Sequence, residues 1–297
     1  MAEQSFAARL VARGNAARRL RLQSKTMTRF PHPRVRAVVI AVLLGCAALA
    51  FAARAANQKQ RPARAKTARK ADPAETLVPF RAGEKLDYRV LWSTFHVNAA
   101  SVRLAVAERR PFYGREAWHF QAVAHTVEGM RLIFTLDDQF DSYTEPRDLA
   151  SLQYEMYLRE QGKKQDAIFQ MSTEDDPAPA TGAAVRVLPG TRDPLGLLFY
   201  LRAVDWRQSR EVRCPVFDGK KLYQARARLE LERDPVSVPA GNFAASRIGV
   251  RVYERGNQVE QARFTVWLAQ NPSRTPVLIE AEVPLGTARV ELTRAGQ

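Results

Sequence analysis

The chain is 297 residues long and has an ordinary globular composition, 46% hydrophobic and 26% charged, so it can bury a sizeable core. Its formal net charge of +15 lies almost entirely in residues 1–79, which carry about 16 basic side chains against about 3 acidic ones. The remaining residues are close to neutral, which excludes nucleic-acid binding through a basic patch of the folded part.

An apolar segment near the N-terminus predicts export across a bacterial inner membrane. Residues 37–53 are uncharged, rich in Val, Leu and Ala, and preceded by three arginines between positions 29 and 36. The segment ends at Ala53-Arg54-Ala55, where small residues stand at both positions that a signal peptidase reads. At about 17 residues, it is shorter than the roughly 20 that span a bilayer. We therefore predict that residues 1–55 form an export leader.

Two alternatives to cleavage after Ala55 stay open. The apolar segment can remain as an uncleaved transmembrane helix that anchors the chain, or Cys46 can be lipidated. Met27 also offers a second start for the chain, which would shorten the leader. If Cys46 leaves with the leader, Cys214 remains alone and forms no internal disulfide. We expect Cys214 to be a small buried residue on a strand.

Residues 56–79 are predicted to be a disordered linker. They contain six Lys or Arg residues and three prolines, and no apolar periodicity. Such a stretch cannot bury enough surface to offset the entropy of ordering it. We interpret it as a solvated spacer; contact with anionic lipid headgroups is the alternative.

From residue 80 onward, apolar and polar residues alternate with period two. Tyr223, Ala225, Ala227, Leu229 and Leu231 alternate with charged and polar residues, which is typical of a half-buried strand. The alternation recurs about a dozen times and favours antiparallel strands with one wet face. We predict one all-β, mainly antiparallel domain over residues 80–297, built as a curved sheet, half-barrel, barrel or sandwich.

Turn residues separate the predicted strands. Asp218-Gly219 predicts a hairpin between the strands around Val216 and Tyr223. Turns are also predicted at residues 160–162, 255–257 and 271–273, and a looser acidic loop at 175–179.

One buried helix is predicted at residues 195–204. Asp193 is a favourable N-cap, and Pro194 stands at the first helical position. The following residues are apolar on nearly every side, so the helix must be buried, as a plug or lid on the sheet.

The order of these segments resembles domain-of-unknown-function family 3108, exported proteins of Gram-negative and related bacteria. The resemblance covers residues 80–293 and rests mainly on Phe80-Arg81-Ala82-Gly83-Glu84, Asp193-Pro194-Leu195, Val216-Phe217-Asp218-Gly219-Lys220 and Val238-Pro239-Ala240-Gly241-Asn242-Phe243, with the tail from Trp267-Leu268 through Pro276-Val277 to Glu291-Leu292. The tail also resembles periplasmic lipoprotein carriers, which are open β-barrels with helical lids. The resemblance implies a β fold and an envelope location, but no activity or catalytic residues.

The common catalytic and metal-binding motifs are absent from the sequence, so we predict no enzyme activity, no metal and no cofactor. His119 and His125 share a strand face but stand about 20 Å apart on a straight strand, too far for one metal. We expect them to be surface or hydrogen-bonded residues. Asp137 and Asp141 are expected at a solvated edge.

Asp138 is the candidate polar group. On a strand it would share a face with Phe134, Leu136 and Phe140, so its carboxylate would need a partner or titrate at higher pH. It is then either a polar contact or general acid in a ligand cavity, or a salt-bridged structural residue.

A set of aromatic residues is the candidate apolar lining. Seven of them, with Asp138, form the predicted ligand-binding set: Tyr88, Trp92, Trp118, Phe120, Phe134, Phe140 and Tyr154. If the sheet encloses a cavity they line an apolar pocket, and if it is filled they form the core.

These features predict a periplasmic, non-catalytic envelope protein that binds a lipid or other apolar ligand. The alternative is an assembly module that binds another envelope protein through a strand edge. An enzyme that uses Asp138 is the third hypothesis. In each case the N-terminal segment would contact the inner membrane.

Overall fold

The alternation that begins at residue 80 produces a single 13-stranded sheet in the computed structural model, which describes residues 76–92, 97–174, 184–283 and 286–296. The strands are β1 Lys85–Trp92, β2 Val97–Phe112, β3 Arg115–Thr126, β4 Asp137–Thr144, β5 Ser151–Glu160, β6 Lys163–Ser172, β7 Ala184–Arg186, β8 Glu211–Phe217, β9 Leu222–Val238, β10 Gly241–Glu254, β11 Asn257–Ala269, β12 Pro276–Val283 and β13 Gly286–Gly296. A short 3-10 helix covers Glu128–Met130.

The strand order is β7-β6-β5-β4-β3-β2-β1-β13-β12-β11-β10-β9-β8. Neighbours in this order are antiparallel except β6 and β7, and the pairing of β1 with β13 joins the two halves of the chain. The sheet is not closed by strand pairing. Residues 191 and 192 instead link β5 to the edge strand β8. Ser151 of β5 donates its backbone N–H to the Thr191 carbonyl, and Arg192 donates its N–H to the Pro215 carbonyl of β8. The all-β, mainly antiparallel prediction is confirmed.

Period two decides which side chains enter the core. In β1, Leu86, Tyr88, Val90 and Trp92 are buried, and the residues between them are more exposed. In β9 the buried face runs from Tyr223 to Leu229 as predicted, but Leu231 is 41% exposed. The register between β9 and β10 shifts on both sides of the Arg247–Leu231 pair, and the buried face of β9 resumes at Val236.

The predicted helix is present as α1, Pro194–Ala203, and most of its residues are buried. The Asp193 carboxylate accepts the Gly196 N–H at 2.8 Å, which confirms the predicted N-cap. The same carboxylate accepts hydroxyl hydrogen bonds from Ser142 at 2.5 Å and Ser151 at 2.6 Å. A Cβ on Gly196 would lie 2.9 Å from Ser151 Oγ, so glycine permits the helix to approach the sheet this closely.

An ion pair lies inside the core beside α1. Arg202 is fully buried and donates from Nη2 to Glu84 at 2.6 Å and to the Ser273 carbonyl at 2.9 Å. Its guanidinium also lies 5.2 Å from the ring centres of Phe80 and Phe199. These contacts fix the C-terminal half of the helix against the first residues of the domain.

Several sequence predictions fall outside the described residues. They are the export leader, Cys46, the linker up to residue 75 and the loop at 175–179. Within the described ranges, no helix is long and apolar enough to cross a membrane. Cys214 is buried on β8, as expected.

Candidate functional site

The predicted aromatic set lies in or against the core that also contains most of α1. Six of its seven aromatic residues are buried, and Trp118 is partly exposed. Phe120 stacks on Phe199 of α1 with ring centres 3.8 Å apart, and Phe80 packs edge-on against both rings at 5.3 Å. The helix therefore packs on the inner face of the sheet against Phe120, one of the residues that were predicted to line a pocket.

Asp138 points into the same interior, as its alternation predicted. It is 1% exposed and accepts the backbone N–H of Arg159 at 2.8 Å through Oδ1. Its Oδ2 has no hydrogen-bond partner among the described residues. Burial raises the pKa of Asp138 to about 6, and Glu160 and Asp137 add to the shift.

A polar cleft lies on the opposite face of the sheet, across β3, β4 and β5. Its volume is about 490 Å³, within the range of small-molecule sites. Alternate residues of the three strands line it: His119, Gln121, Asp137, Gln139, Asp141, Tyr143, Glu155, Tyr157 and Arg159. We call this the outer cleft.

Asp141 is at the centre of the outer cleft. Its Oδ1 lies 2.7 Å from His119 Nε2 and accepts from Gln121 at 3.0 Å, and its Oδ2 accepts from Gln139 at 2.6 Å. Burial raises the pKa of this carboxyl, but the three hydrogen bonds outweigh burial and hold the pKa below its usual value. The predicted solvated edge is thus wrong for Asp141, which is 3% exposed, because β3 and β5 flank it on both sides.

Tyr143 and His119, which line the cleft, belong to a stack of three rings. Tyr143 is parallel to Phe112 at 4.3 Å and to His119 at 4.5 Å, with 11° between the planes in each pair. Phe112 comes from the tip of the β2–β3 hairpin, and Arg110 of the same hairpin lies 5.5 Å from the Tyr143 ring centre. The hairpin therefore folds over the outer face and gives the cleft a rigid aromatic side.

A second polar group comes from β5. Tyr157 donates its hydroxyl to Glu155 at 2.6 Å, and Gln153 donates to the other Glu155 oxygen at 2.5 Å. The bond to Glu155, assisted by burial, raises the pKa of Tyr157, so this phenol stays protonated. Glu155 lies directly opposite Asp141 across the β4–β5 ladder, so the two carboxylates share one face.

Two ion pairs close the far end of the cleft. Asp137 binds Arg131 through two bonds of 3.0 Å and lies 3.0 Å from His125 Nδ1. The Arg131 bonds lower the pKa of Asp137 to about 2. Arg159 pairs with Asp166 of β6. Both predicted histidines are therefore hydrogen-bonded residues, as expected.

The chemistry of the cleft suits uncharged polar ligands. The three lining carboxylates already accept hydrogen bonds from protein groups, and among the described residues there is no group of His, Cys, Asp and Glu that could hold a metal ion. The amides of Gln121 and Gln139 each donate one hydrogen to Asp141, and the Tyr157 phenol donates to Glu155. These groups can still offer a ligand the second amide hydrogen, the amide oxygen and the phenol oxygen, beside the rings of Tyr143 and His119. This combination matches vicinal hydroxyl groups on an apolar ring.

Sequence reasoning missed the outer cleft because its residues come from three separate strands. The signal that could have found it is the run of polar residues on the non-core face of the predicted strands, namely His119 with Gln121, Gln139 with Asp141, and Glu155 with Tyr157. This face carries glutamine amides and aromatic rings beside its four charged residues, Asp137, Asp141, Glu155 and Arg159.

Comparisons with known proteins identify a family and several remote structural matches. The family model described as "Protein of unknown function (DUF3108)" matches residues 87–293, more than half of the chain. No curated protein sequence matches the chain.

Three solved structures are similar over most of their length. A β-barrel-like protein of the domain of unknown function DUF1849 from Brucella abortus has a TM-score of 0.43 and 8% identity, covering 75% of this chain and 99% of its own. A protein from Bacteroides fragilis described as exported, with a YmcC-like fold, has a TM-score of 0.34 and 10% identity, covering 75% and 100%. A protein from Parabacteroides distasonis described as a lipoprotein has a TM-score of 0.35 and 9% identity, covering 76% and 100%.

Proposed function

The chain belongs to the family described as "Protein of unknown function (DUF3108)", and on that premise we propose that it is a non-catalytic envelope protein that binds a polyhydroxylated ligand in the outer cleft. The envelope location rests on residues 37–55, which have the composition of an export segment. The ligand class we favour is an oligosaccharide or a glycan chain of the envelope.

The observation that carries this proposal is the outer cleft itself. About 490 Å³ of open space is bounded by side chains whose positions are fixed by hydrogen bonds to one another. A preformed site loses little entropy when it binds, because its rotamers are already restricted. The ring stack of Phe112, Tyr143 and His119 offers a rigid edge beside the polar groups.

We prefer the outer cleft to the predicted apolar site on the inner face. A lipid chain there would have to displace α1, because Phe199 of the helix stacks directly on Phe120. The helix is also held by the Asp193 cap and by the Arg202–Glu84 pair. An apolar ligand therefore requires a rearrangement, whereas the outer cleft is open as it stands.

Calorimetric titration with soluble oligosaccharides tests the proposal. The probes are cellotetraose, chitotetraose and maltotetraose, and we expect at least one to bind with a dissociation constant of about 1 mM or tighter. Gln139→Ala and Tyr157→Ala should each weaken that binding at least about tenfold, since each removes a polar group that faces the cleft.

Gln224→Ala is the matched control, because Gln224 is an exposed strand glutamine on β9, outside the cleft. It should leave the titration unchanged. Equal weakening by all three variants, or no heat with any of the probes, would remove the cleft as the ligand site.

A second candidate function, binding to another envelope protein through a strand edge, is favoured by β6. On the edge that faces away from β5, β6 pairs with β7 only from Gln170 to Ser172. Ile168, which precedes this paired stretch, is 48% exposed. A chain with Ile168→Lys should lose a partner captured by crosslinking in cells, if this edge is the docking strand. Recovery of the same partner by the variant would exclude the edge.

A further inference from the structure

Two adjacent aliphatic residues protrude from the turn between β3 and β4. Leu132 is 96% exposed and Ile133 is 64% exposed, whereas the next residue, Phe134, is buried. Large apolar side chains exposed in pairs at the tip of a turn are unfavourable in water unless something covers them.

The backbone of this turn holds the two residues outward. Ile133 and Phe134 both donate their N–H to the Met130 carbonyl, at 2.9 and 3.0 Å. Arg131 is fixed by its two bonds to Asp137, and Phe134 anchors the far side of the turn in the core. Leu132 and Ile133 are therefore displayed on a structured turn.

Several basic side chains lie at the same end of the sheet as the protruding pair. In an antiparallel meander alternate turns lie at the same end of the sheet, so the β3–β4, β5–β6, β8–β9 and β10–β11 turns share one end. The N–H of Gln161 in the β5–β6 turn donates to Thr135, next to the protruding pair. Five exposed basic residues belong to these turns or to the strands that start there: Lys163, Lys164, Lys220, Lys221 and Arg255.

Most acidic side chains at this end are buried or paired. Over the same turns and the adjoining strand residues that the structure describes, they are Glu128, Asp137, Glu160, Asp166, Asp218, Glu254 and Glu260. Asp218 is buried, and Asp137, Asp166, Glu254 and Glu260 form ion pairs with arginine or lysine side chains. This end of the sheet, which we call the basic end, therefore combines an aliphatic tip with a rim of exposed basic residues, namely Lys163, Lys164, Lys220 and Arg255.

We propose that the basic end docks on the surface of an anionic lipid bilayer, with Leu132 and Ile133 inserted among the acyl chains. Aliphatic insertion and attraction between basic residues and anionic headgroups are the two contributions that hold peripheral proteins on membranes. Two aliphatic side chains are too small a patch for a stable protein–protein interface, which favours lipid as the occupant. This inference goes beyond ligand binding in the outer cleft and does not depend on it.

The chain outside the described residues is long enough to permit this orientation. The first described residue, Thr76, donates its N–H to Pro146, in the β4–β5 turn at the opposite end of the sheet. The eight residues of β4 span about 27 Å. The 20 residues from 56 to 75 reach up to about 70 Å when extended, so a chain anchored at its N-terminus can still turn its basic end to the same bilayer.

Site-specific spin labels test the proposal in the full chain, independently of any membrane contact by the N-terminal segment. Nitroxides are placed by Leu132→Cys, Ile133→Cys and Arg207→Cys in a Cys46→Ser background, while Cys214 stays buried and unlabelled. Arg207 is the control because it is exposed in the turn before β8, at the opposite end of the sheet. The chains are added to vesicles of phosphatidylethanolamine and phosphatidylglycerol.

We expect the labels at 132 and 133 to collide mainly with lipid-soluble oxygen, and the label at 207 mainly with a water-soluble nickel complex. Adding Lys163→Glu and Lys164→Glu should reduce the immersed fraction at 132 at least about tenfold, since each basic residue contributes to attraction. Aqueous labels at 132 and 133 on vesicle-bound chain would overturn the proposal. Equal immersion on pure phosphatidylcholine vesicles would overturn the role of the basic rim.

Discussion

Asp138 provides a test of the interior of the fold, because its carboxylate is buried with one oxygen unpartnered among the described residues. Its pKa is raised to about 6 from its ordinary value of 3.8, chiefly by burial. Since the folded state holds the proton more tightly than the unfolded state, the charged form destabilises the fold. The change we consider is Asp138→Asn, which keeps the acceptor for the Arg159 N–H and cannot ionise.

The magnitude follows from the shift of about two pKa units. At 1.36 kcal/mol per unit, ionised Asp138 lowers the free energy of unfolding by about 3 kcal/mol above pH 7, and by nothing well below pH 4. About 2 kcal/mol of this develops between pH 4.5 and pH 8. The new amide hydrogens cost about 1–3 kcal/mol at every pH, because they meet a site without an acceptor. The cost of ionising Asp138 is therefore measured by how the stability difference between the two chains changes with pH.

Urea denaturation of both chains at pH 4.5 and pH 8 measures this change in the stability difference. The stability of Asp138→Asn relative to the parent should rise by about 2 kcal/mol over this interval. Asp137→Asn is the matched control. Asp137 is the neighbour of Asp138 on the other face of the strand, its own pKa is lowered to about 2, and its carboxyl is therefore ionised in the folded state throughout the interval. If the difference in unfolding free energy between Asp138→Asn and the parent is the same at pH 4.5 and pH 8, Asp138 does not ionise at a raised pKa inside the fold.

Three further changes probe α1 and its surroundings by urea denaturation. Asp193→Ala removes the cap and the acceptor of two buried serine hydroxyls, so we expect a loss of about 2–4 kcal/mol, and a much smaller one for exposed Asp148→Ala. Gly196→Ala should cost about 1–3 kcal/mol by overpacking, and an unchanged midpoint would contradict the close approach. Arg202→Met should cost about 3–5 kcal/mol by leaving Glu84 without its counter-ion, and adding Glu84→Gln should restore part of the loss.

Much of the fold could be predicted from local sequence. The Asp218-Gly219 hairpin, the turns at 160–162 and 255–257, and the Asp193 cap all lie where turn and cap residues placed them. These features depend on backbone chemistry within a few residues. Asp138 also faces inward as its alternation required, because the period of a strand is fixed at two.

The outer cleft could not be predicted in the same way, because it depends on the register between strands. Asp141 is buried only because His119 and Gln121 of β3 and Glu155 of β5 stand beside it. Nothing in the sequence near Asp141 specifies that pairing. Likewise, the filling of the inner face follows from Phe199 stacking on Phe120, a contact between residues 79 positions apart.

The side-chain amide resonances of Gln121 and Gln139 offer the most direct test of the outer cleft as a ligand site. In an isotope-labelled chain, the account predicts that these two NH₂ pairs shift as cellotetraose, chitotetraose or maltotetraose is added, while the Gln224 pair does not. Shifts confined to residues that line the inner face, such as Phe120 and Phe199, or no shift with any of the three sugars, would contradict it.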